Sequence, residues 1–315
     1  MLSVLHWRFK EKDLTTIKRT TDLGYAELSH RLWQRFARLV SRELRSSKAS
    51  IARLEERNQK QRGTVTSPGG PVVSLTTYGK RLNSVHLPIE SIAMGTMLPS
   101  RLILWLDDEK AFNDRPETLR RLEARGLEVK LTRNFGPHTK YYPYLESNED
   151  LDVPLVTADD DTLYPRSWLK GLAEAFRNDP TVVSCYRAHV ITLAESGFAN
   201  YVTWPRCRTA MPGIHNFATG VSGVIYPTGL QRQIKAAGLG FLEVCPKADD
   251  VWLHVQALRG RFKIKQLRAW EQSFPVLPGT QDTGLVQENV HGSQNDIQIQ
   301  KTYTAEDIAL LRASE

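Results

Sequence analysis

Cysteine is scarce in this chain of 315 residues: Cys185, Cys207 and Cys245 are its three, widely separated and never paired as CxxC. That excludes a disulfide framework and a cysteine-ligated zinc centre, and fits a reducing compartment in which the thiols serve as small buried hydrophobes. Long apolar runs are also missing. No stretch of about 18 such residues occurs, so no transmembrane helix is expected. The opening MLSVLHWRFKEKD has too short an apolar stretch for a secretory signal. A cytoplasmic protein is the expectation. A charge excess spread over the whole chain is absent too. The net charge is +7, but residues 1–62 hold 15 Lys/Arg against 7 Asp/Glu, and the remainder holds 27 against 28. A near-neutral body lacks the concentrated positive field that tracks phosphates, so no nucleic-acid partner is expected.

What is present is an ordinary globular composition, with 41% hydrophobic and 24% charged residues, enough for one large core or a large domain with an appendage. Residues 22–62 read as helix, capped by Thr21 or Asp22. Leu28, Leu32, Phe36, Leu39 and Val40 form one stripe; Arg31, Arg35, Arg38, Arg42 and Arg45 form another. Such an arm either packs against the body or a partner, a second copy in a homodimer included, or lies on an anionic membrane surface as a peripheral anchor. GTVTSPGGP, residues 63–71, reads as a linker. From residue 72 short apolar strands alternate with amphipathic helices, as in VVSLTTY, RLILWLDD and LEVKLTRN. That pattern predicts a mostly parallel, doubly covered sheet, with ligands beyond the carboxyl ends of its strands. The expected organisation is a basic helical arm over 1–62, the linker 63–71, an α/β domain over 72–300 and a C-terminal helix or tail over 301–315.

A fourth apolar strand runs into VTADDD and ends on Asp159, Asp160 and Asp161. Adjacent carboxylates repel one another when partly buried, unless a cation or proton neutralises them. In extended backbone residues i and i+2 share a side, so Asp159 and Asp161 face one cation together. Oxygen-only ligands favour Mg²⁺ or Mn²⁺. A solvated acidic turn is the blander reading, and it explains one aspartate better than three.

Five blocks in order then carry a resemblance: VVSLTTYGKR, GPHTKYYPYL, VTADDDTLYP, FATGVSGVIYP and VCPKADDVWL. The chain resembles the GT-A glycosyltransferases, close to the bacterial cell-surface polysaccharide families, over about residues 71–300. The resemblance implies a Rossmann-like, mostly parallel sheet, a DxD metal site, a nucleotide-sugar donor and a saccharide or lipid-linked acceptor. It implies that Asp159 and Asp161 hold the metal, with His291 in NVHGSQND as a looser third ligand, and that Asp160 belongs to the donor site. Thr76, Thr77 and Tyr78 would contact the nucleoside, and Asp107 or Asp108 would accept the uracil N3–H. Lys140 would meet a phosphate or hold the acids of the donor site. Asp250, or else Asp249, would be the general base that deprotonates the acceptor in an inverting displacement; helix capping is the alternative role for one of this pair. Gly220 and Gly223 would let backbone approach a sugar closely, and Arg187 and Trp204 would face the acceptor, although a place in the core is the better reading of Trp204.

Rival readings fit less well. A haloacid-dehalogenase-type phosphatase needs D-x-D-x-T closing the first strand, and here Thr162 directly follows Asp161 after the fourth. A sugar nucleotidyltransferase opens with a glycine-rich loop, whereas SLTTYGKRL has one glycine. A non-catalytic, membrane-associated assembly protein with a relic transferase fold would not need both acidic pairs.

Overall fold

The structure, a computed structural model, describes residues 48–195, 197–280 and 294–314. Residues 1–47 of the expected arm, with both of its stripes, and His291 lie outside the described residues. The strands are β1 (Val72–Thr76), β2 (Arg101–Leu106), β3 (Leu127–Leu131), β4 (Leu155–Thr157), β5 (Val183–Cys185), β6 (Ala188–Val190), β7 (Leu193–Ala194), β8 (Gly197–Phe198), β9 (Asn216–Ala218), β10 (Val224–Tyr226) and β11 (Ile264–Gln266). The helices are α1 (His86–Ala93), α2 (Glu109–Asn113), α3 (Glu117–Glu123), α4 (Tyr142–Ser147), α5 (Trp168–Asn178), α6 (Thr228–Ala237), α7 (Phe241–Val244), α8 (Asp249–Arg259), α9 (Gln294–Thr302) and α10 (Ala305–Arg312).

Seven strands form the central sheet in the order β11-β5-β10-β4-β1-β2-β3. All its pairings are parallel except those of β10, which runs antiparallel to both β4 and β5. The expected α/β class and mostly parallel sheet are therefore the ones found. Burial explains the strand sequences. Val73, Leu75, Leu102, Leu104 and Leu106 pack in one cluster, while Val72, Ile103 and Trp105 enter the cluster on the opposite face. Successive residues face opposite sides and both sides are covered, so the strands read as continuous apolar runs. Ser74, in the middle of β1, accepts a hydrogen bond from Trp105 Nε1 at 2.9 Å. On the covering helix α5, Trp168, Leu169, Leu172, Ala173 and Ala175 recur at helical spacing and are buried.

The chain divides into units Met1–Ala52 and Arg53–Glu315. The second unit thus includes the last turns of the expected arm. Residues 53–60 are helical. Arg57 Nε donates to Glu90 Oε2 at 2.9 Å, and Asn58, fully buried, donates to Thr118 O at 3.0 Å. The segment expected as a linker is also held: Val65 is fully buried and its N–H donates to Arg125 O at 2.9 Å. At the other end, Thr304 forms a capping box with Asp307 at the start of α10, and Asp307 pairs with Arg259 of α8 at 2.7 Å.

Candidate active site

The carboxyl ends of β1 and β4 meet around the triple aspartate. Thr77, just past β1, donates to Asp160 Oδ2 at 2.6 Å, and Arg81 donates to Asp160 Oδ1 at 2.8 Å. Both oxygens of Asp160 are thus occupied inside the protein. Arg81 comes from the 3₁₀ turn Gly79–Asn83, and its other nitrogen donates to Thr280 O at 2.6 Å. It also lies 3.4 Å from Asp161 Oδ2. Asp159 is positioned through its backbone N–H, which donates to the Tyr164 hydroxyl at 2.7 Å, and its Oδ1 lies 3.4 Å from Lys140 Nζ. The backbone carbonyl of Asp161 accepts from Leu277 N–H at 2.7 Å.

Lys140 joins this group to the second acidic pair. It ends the 3₁₀ turn Gly136–Lys140, and its Nζ lies 3.1 Å from Asp249 Oδ2. The N-cap of α8 is Ala248, so neither Asp249 nor Asp250 serves as a cap. Both sit in the first turn, where the helix dipole favours negative charge. Asp250 Oδ1 accepts from the Gly220 N–H at 2.9 Å. A Cβ at Gly220 would stand 3.1 Å from that oxygen and 3.4 Å from Lys140 Nζ, so glycine keeps backbone and carboxylate in contact.

The electrostatics are lopsided. Five carboxylates (Asp159, Asp160, Asp161, Asp249, Asp250) converge, and the cations within ion-pair distance among the described residues are Arg81 and Lys140. Burial pushes the Asp159 carboxyl up to about 6; Lys140 opposes this, and the neighbouring aspartates add to it. Asp250 is raised further, first by burial and then by the charge of Asp249. Burial alone would lower the Lys140 ammonium, but Asp249, Asp159 and Asp250 outweigh it and hold it well above its ordinary value. An all-oxygen donor set with surplus negative charge suits a hard divalent cation. Among the described residues no three His, Cys, Asp or Glu side chains form a metal-holding group by themselves. A cation here would complete its shell with water or ligand oxygens, as Mg²⁺ commonly does.

The remaining sequence-predicted residues divide. Thr76 Oγ1 donates to Trp105 O at 3.1 Å, while Tyr78 is 48% exposed with the Arg81 guanidinium 5.8 Å from its ring centre. Asp107 is half-buried; burial raises its carboxyl, and the Asn134 side chain bonds to it. Asp108 instead caps α2, accepting from Ala111 N–H at 2.7 Å. Gly223, at φ 99°, has a packing role: a Cβ there would come 2.7 Å from Trp168 Nε1. Arg187 precedes β6, half-buried, with Nη2 3.4 Å from His189 Nε2. Trp204 corrects the expectation of a sugar platform. It is 3% exposed, its Nε1 donates to Ala199 O at 3.0 Å, and its ring packs 5.3 Å from Phe217. The apolar ring is worth more in that aromatic cluster than in solvent. Arg81 and Tyr164 were missed. Arg81 stands in the quoted YGKR block, so its place just beyond β1 was the available signal.

No family model and no curated protein matches the chain. Among solved structures it is similar to GalNAc-T7, crystallised with UDP, GalNAc and Mn²⁺, at 11% identity and a TM-score of 0.43, covering 71% of this chain and 47% of that one. It is also similar to residues 1–349 of S. aureus TarS, at 13% identity and a TM-score of 0.41, covering 64% of this chain and 58% of that one. The chain thus spans about half the length of the structures it matches. At these scores the likeness carries no inference about activity or ligands.

Proposed function

We propose that the chain is a glycosyltransferase that moves a sugar from a nucleotide-sugar donor, a UDP-sugar, to a saccharide or lipid-linked saccharide in cell-surface polysaccharide synthesis. The observation that supports this most is Lys140, which stands between Asp159 at the end of β4 and Asp249 at the start of α8. It places the triple aspartate and the acidic pair Asp249 and Asp250 on either side of one ammonium. The five sequence blocks in order support the same reading.

Asp159 and Asp161 are the residues that would hold Mn²⁺ or Mg²⁺, with His291 as a further ligand carried from the sequence. Such an ion supplies positive charge to the departing diphosphate. Tyr78 and Asp107 line the nucleoside side, and Thr77 and Arg81 keep Asp160 fixed between its neighbours. Asp250 receives the proton of the acceptor hydroxyl. Its raised affinity for protons makes it a stronger base than a solvated carboxylate, and the Gly220 N–H fixes its orientation. One base and no enzymic nucleophile make a single displacement, so the anomeric configuration inverts. The basic arm brings the enzyme to an anionic membrane where a lipid-linked acceptor lies; among the described residues no helix is long and apolar enough to span a membrane.

Calorimetry of UDP binding in Mn²⁺ and in EDTA tests the donor site. Binding that depends on the metal supports the assignment, and equal affinity in both removes it. NMR of the transferred product tests the displacement, and a retained anomer would overturn the role of Asp250.

A further inference from the structure

Beside Asp250 lies a basic group that the transfer chemistry leaves unused. The strand β6 has a neighbour on each side. It pairs with β9, Ala188 opposite Ala218 and His189 opposite Phe217. The register continues to Arg187 opposite Thr219, whose N–H donates to Arg187 O at 3.1 Å. On the other side His189 pairs antiparallel with Arg206, and Cys207 N–H donates to Ala188 O at 2.9 Å. That register sets Arg208 opposite Arg187. Residues directly opposite across antiparallel strands project to one face. Arg208, Arg187 and Thr219 therefore make one row, with Arg206, His189 and Phe217 as the row behind it. The residue after Thr219 is Gly220, which holds Asp250.

The row is out of balance. Like charges directly opposite are unfavourable. Among the described residues neither Arg187 nor Arg208 makes a salt bridge, whereas Arg206 pairs with Glu271 Oε1 at 2.7 Å. Glu271 is thus one carboxylate facing three guanidiniums, and its carboxyl, raised by burial, is pulled back by Arg206, Arg187 and Arg208. Nor does the adjacent histidine help. Burial lowers His189, with Trp204 O opposing and Arg187 and Arg206 adding, so the ring stays neutral. Thr219 is 4% exposed, and its hydroxyl has no hydrogen-bond partner among the described residues. A buried hydroxyl without a partner is rare enough to need a reason. One negatively charged group lying across the row relieves all three strains. It separates the two guanidiniums, neutralises them and accepts the threonine proton.

We propose that Arg187, Arg208 and the Thr219 hydroxyl bind an anionic group, a phosphate or a carboxylate, carried by the acceptor saccharide. This rests on the reading of Asp250 as the base that meets the acceptor. The row adjoins Asp250, the base that meets the acceptor, through Thr219 and Gly220, so the group it holds is assigned to the acceptor and not to the donor diphosphate.

The test uses the full chain and three variants, R187Q, R208Q and T219V, with R208K as the conservative control. Calorimetry compares glucose 6-phosphate, glucuronate and glucose, and measures UDP with Mn²⁺ on the same samples. At least one anionic probe binds more tightly than glucose, and loses roughly tenfold in affinity in R187Q and R208Q, as expected for a charged hydrogen bond. The loss is smaller in T219V and is partly restored in R208K, while UDP binding is unchanged in every variant. Preference for glucose 6-phosphate over glucuronate, or the reverse, tells phosphate from carboxylate. The proposal is overturned when neither anion exceeds glucose, when R208Q binds both as the parent does, or when the variants lose UDP instead. A chain that binds the anions but not UDP would keep this site and lose the transferase reading.

Discussion

Two buried acidic sites of this protein contrast in how their charge is answered. Glu90 on α1 is fully buried, with Arg125 on one oxygen and Arg57 on the other. Asn58 adds a hydrogen bond at 3.3 Å. Every lone pair there is met from within the protein, and the network joins residues 53–60 to α1 and α3. The aspartates at the ends of β4 and α8 have five carboxylates to the two cations Arg81 and Lys140. The same side-chain chemistry serves structure where it is matched, and under the proposed function it serves ligand binding where it is not. Removing a carboxylate should therefore have opposite consequences at the two places.

The largest effect is expected at Asp250. Asp250→Asn should lower turnover roughly 10²–10⁴-fold while donor affinity barely changes, the usual worth of a general base. Its melting temperature should hold or rise, because one of several repelling charges is gone. Steady-state kinetics with calorimetric melting decides it, and normal turnover would break the contrast.

Next comes Glu90→Gln, the reverse case. Leaving Arg125 buried without its carboxylate should cost about 3–5 kcal/mol. In a domain of this size that lowers the melting temperature by about 10 °C. Turnover per folded molecule should be unchanged; a variant that is stable but inactive would place Glu90 in the catalytic machinery after all.

Acid stability sharpens the comparison from another side. His138 donates from Nε2 to Cys245 O at 2.8 Å and accepts the Tyr141 hydroxyl at 2.6 Å. His254 donates to Ile214 O at 2.9 Å and accepts from Tyr303 at 2.8 Å. Burial lowers both rings from 6.5 to about 4, so each is folded in its neutral form. Between those values the unfolded chain binds protons that the folded one does not. Their contribution is complete above pH 6.5 and is lost as pH falls towards 4, about 3 kcal/mol for each ring. The raised carboxyls of Asp159 and Asp250 act in the opposite sense, their contribution being lost as pH rises through the folded values. Urea titrations from pH 4 to 8 should show the acid loss, and it should shrink in His254→Asn; an unchanged slope would refute it.

The smallest effect on the fold is expected from removing residues 1–47. That deletion spares Arg57 and Asn58, so Glu90 keeps its partners and stability should stay within about 0.5 kcal/mol. Under the membrane reading, sedimentation with anionic liposomes disappears and the number of copies per particle by light scattering stays constant. A fall from two copies to one would favour the dimerisation arm.

Much of this was legible in the sequence, for a local reason. The strands β1 and β2 are five and six residues long and packed on both faces, so they announce themselves as apolar runs, while the edge strand β3 shows itself by alternation of apolar and charged residues. The candidate carboxylates were legible because repulsion between neighbours in sequence is itself a local oddity: Asp159 to Asp161, and Asp249 with Asp250. The strands β5, β6, β9, β10 and β11 have three residues each, too few for any periodicity, and only their pairings define them.

By itself, the sequence determined the class of fold, the strand end that carries the clustered carboxylates and the two acidic groups. Those follow from which residues are apolar and which charges adjoin. The tertiary structure alone decided which charges are balanced. Arg81 meets Asp160 across 79 positions, Arg125 meets Glu90 across 35, and Arg187 is set between Arg208 and Thr219 by two registers. It also decided that Trp204 is core and that Ala248, not an aspartate, occupies the cap of α8. Charge balance is a sum over neighbours in space, and distance along the chain does not carry it.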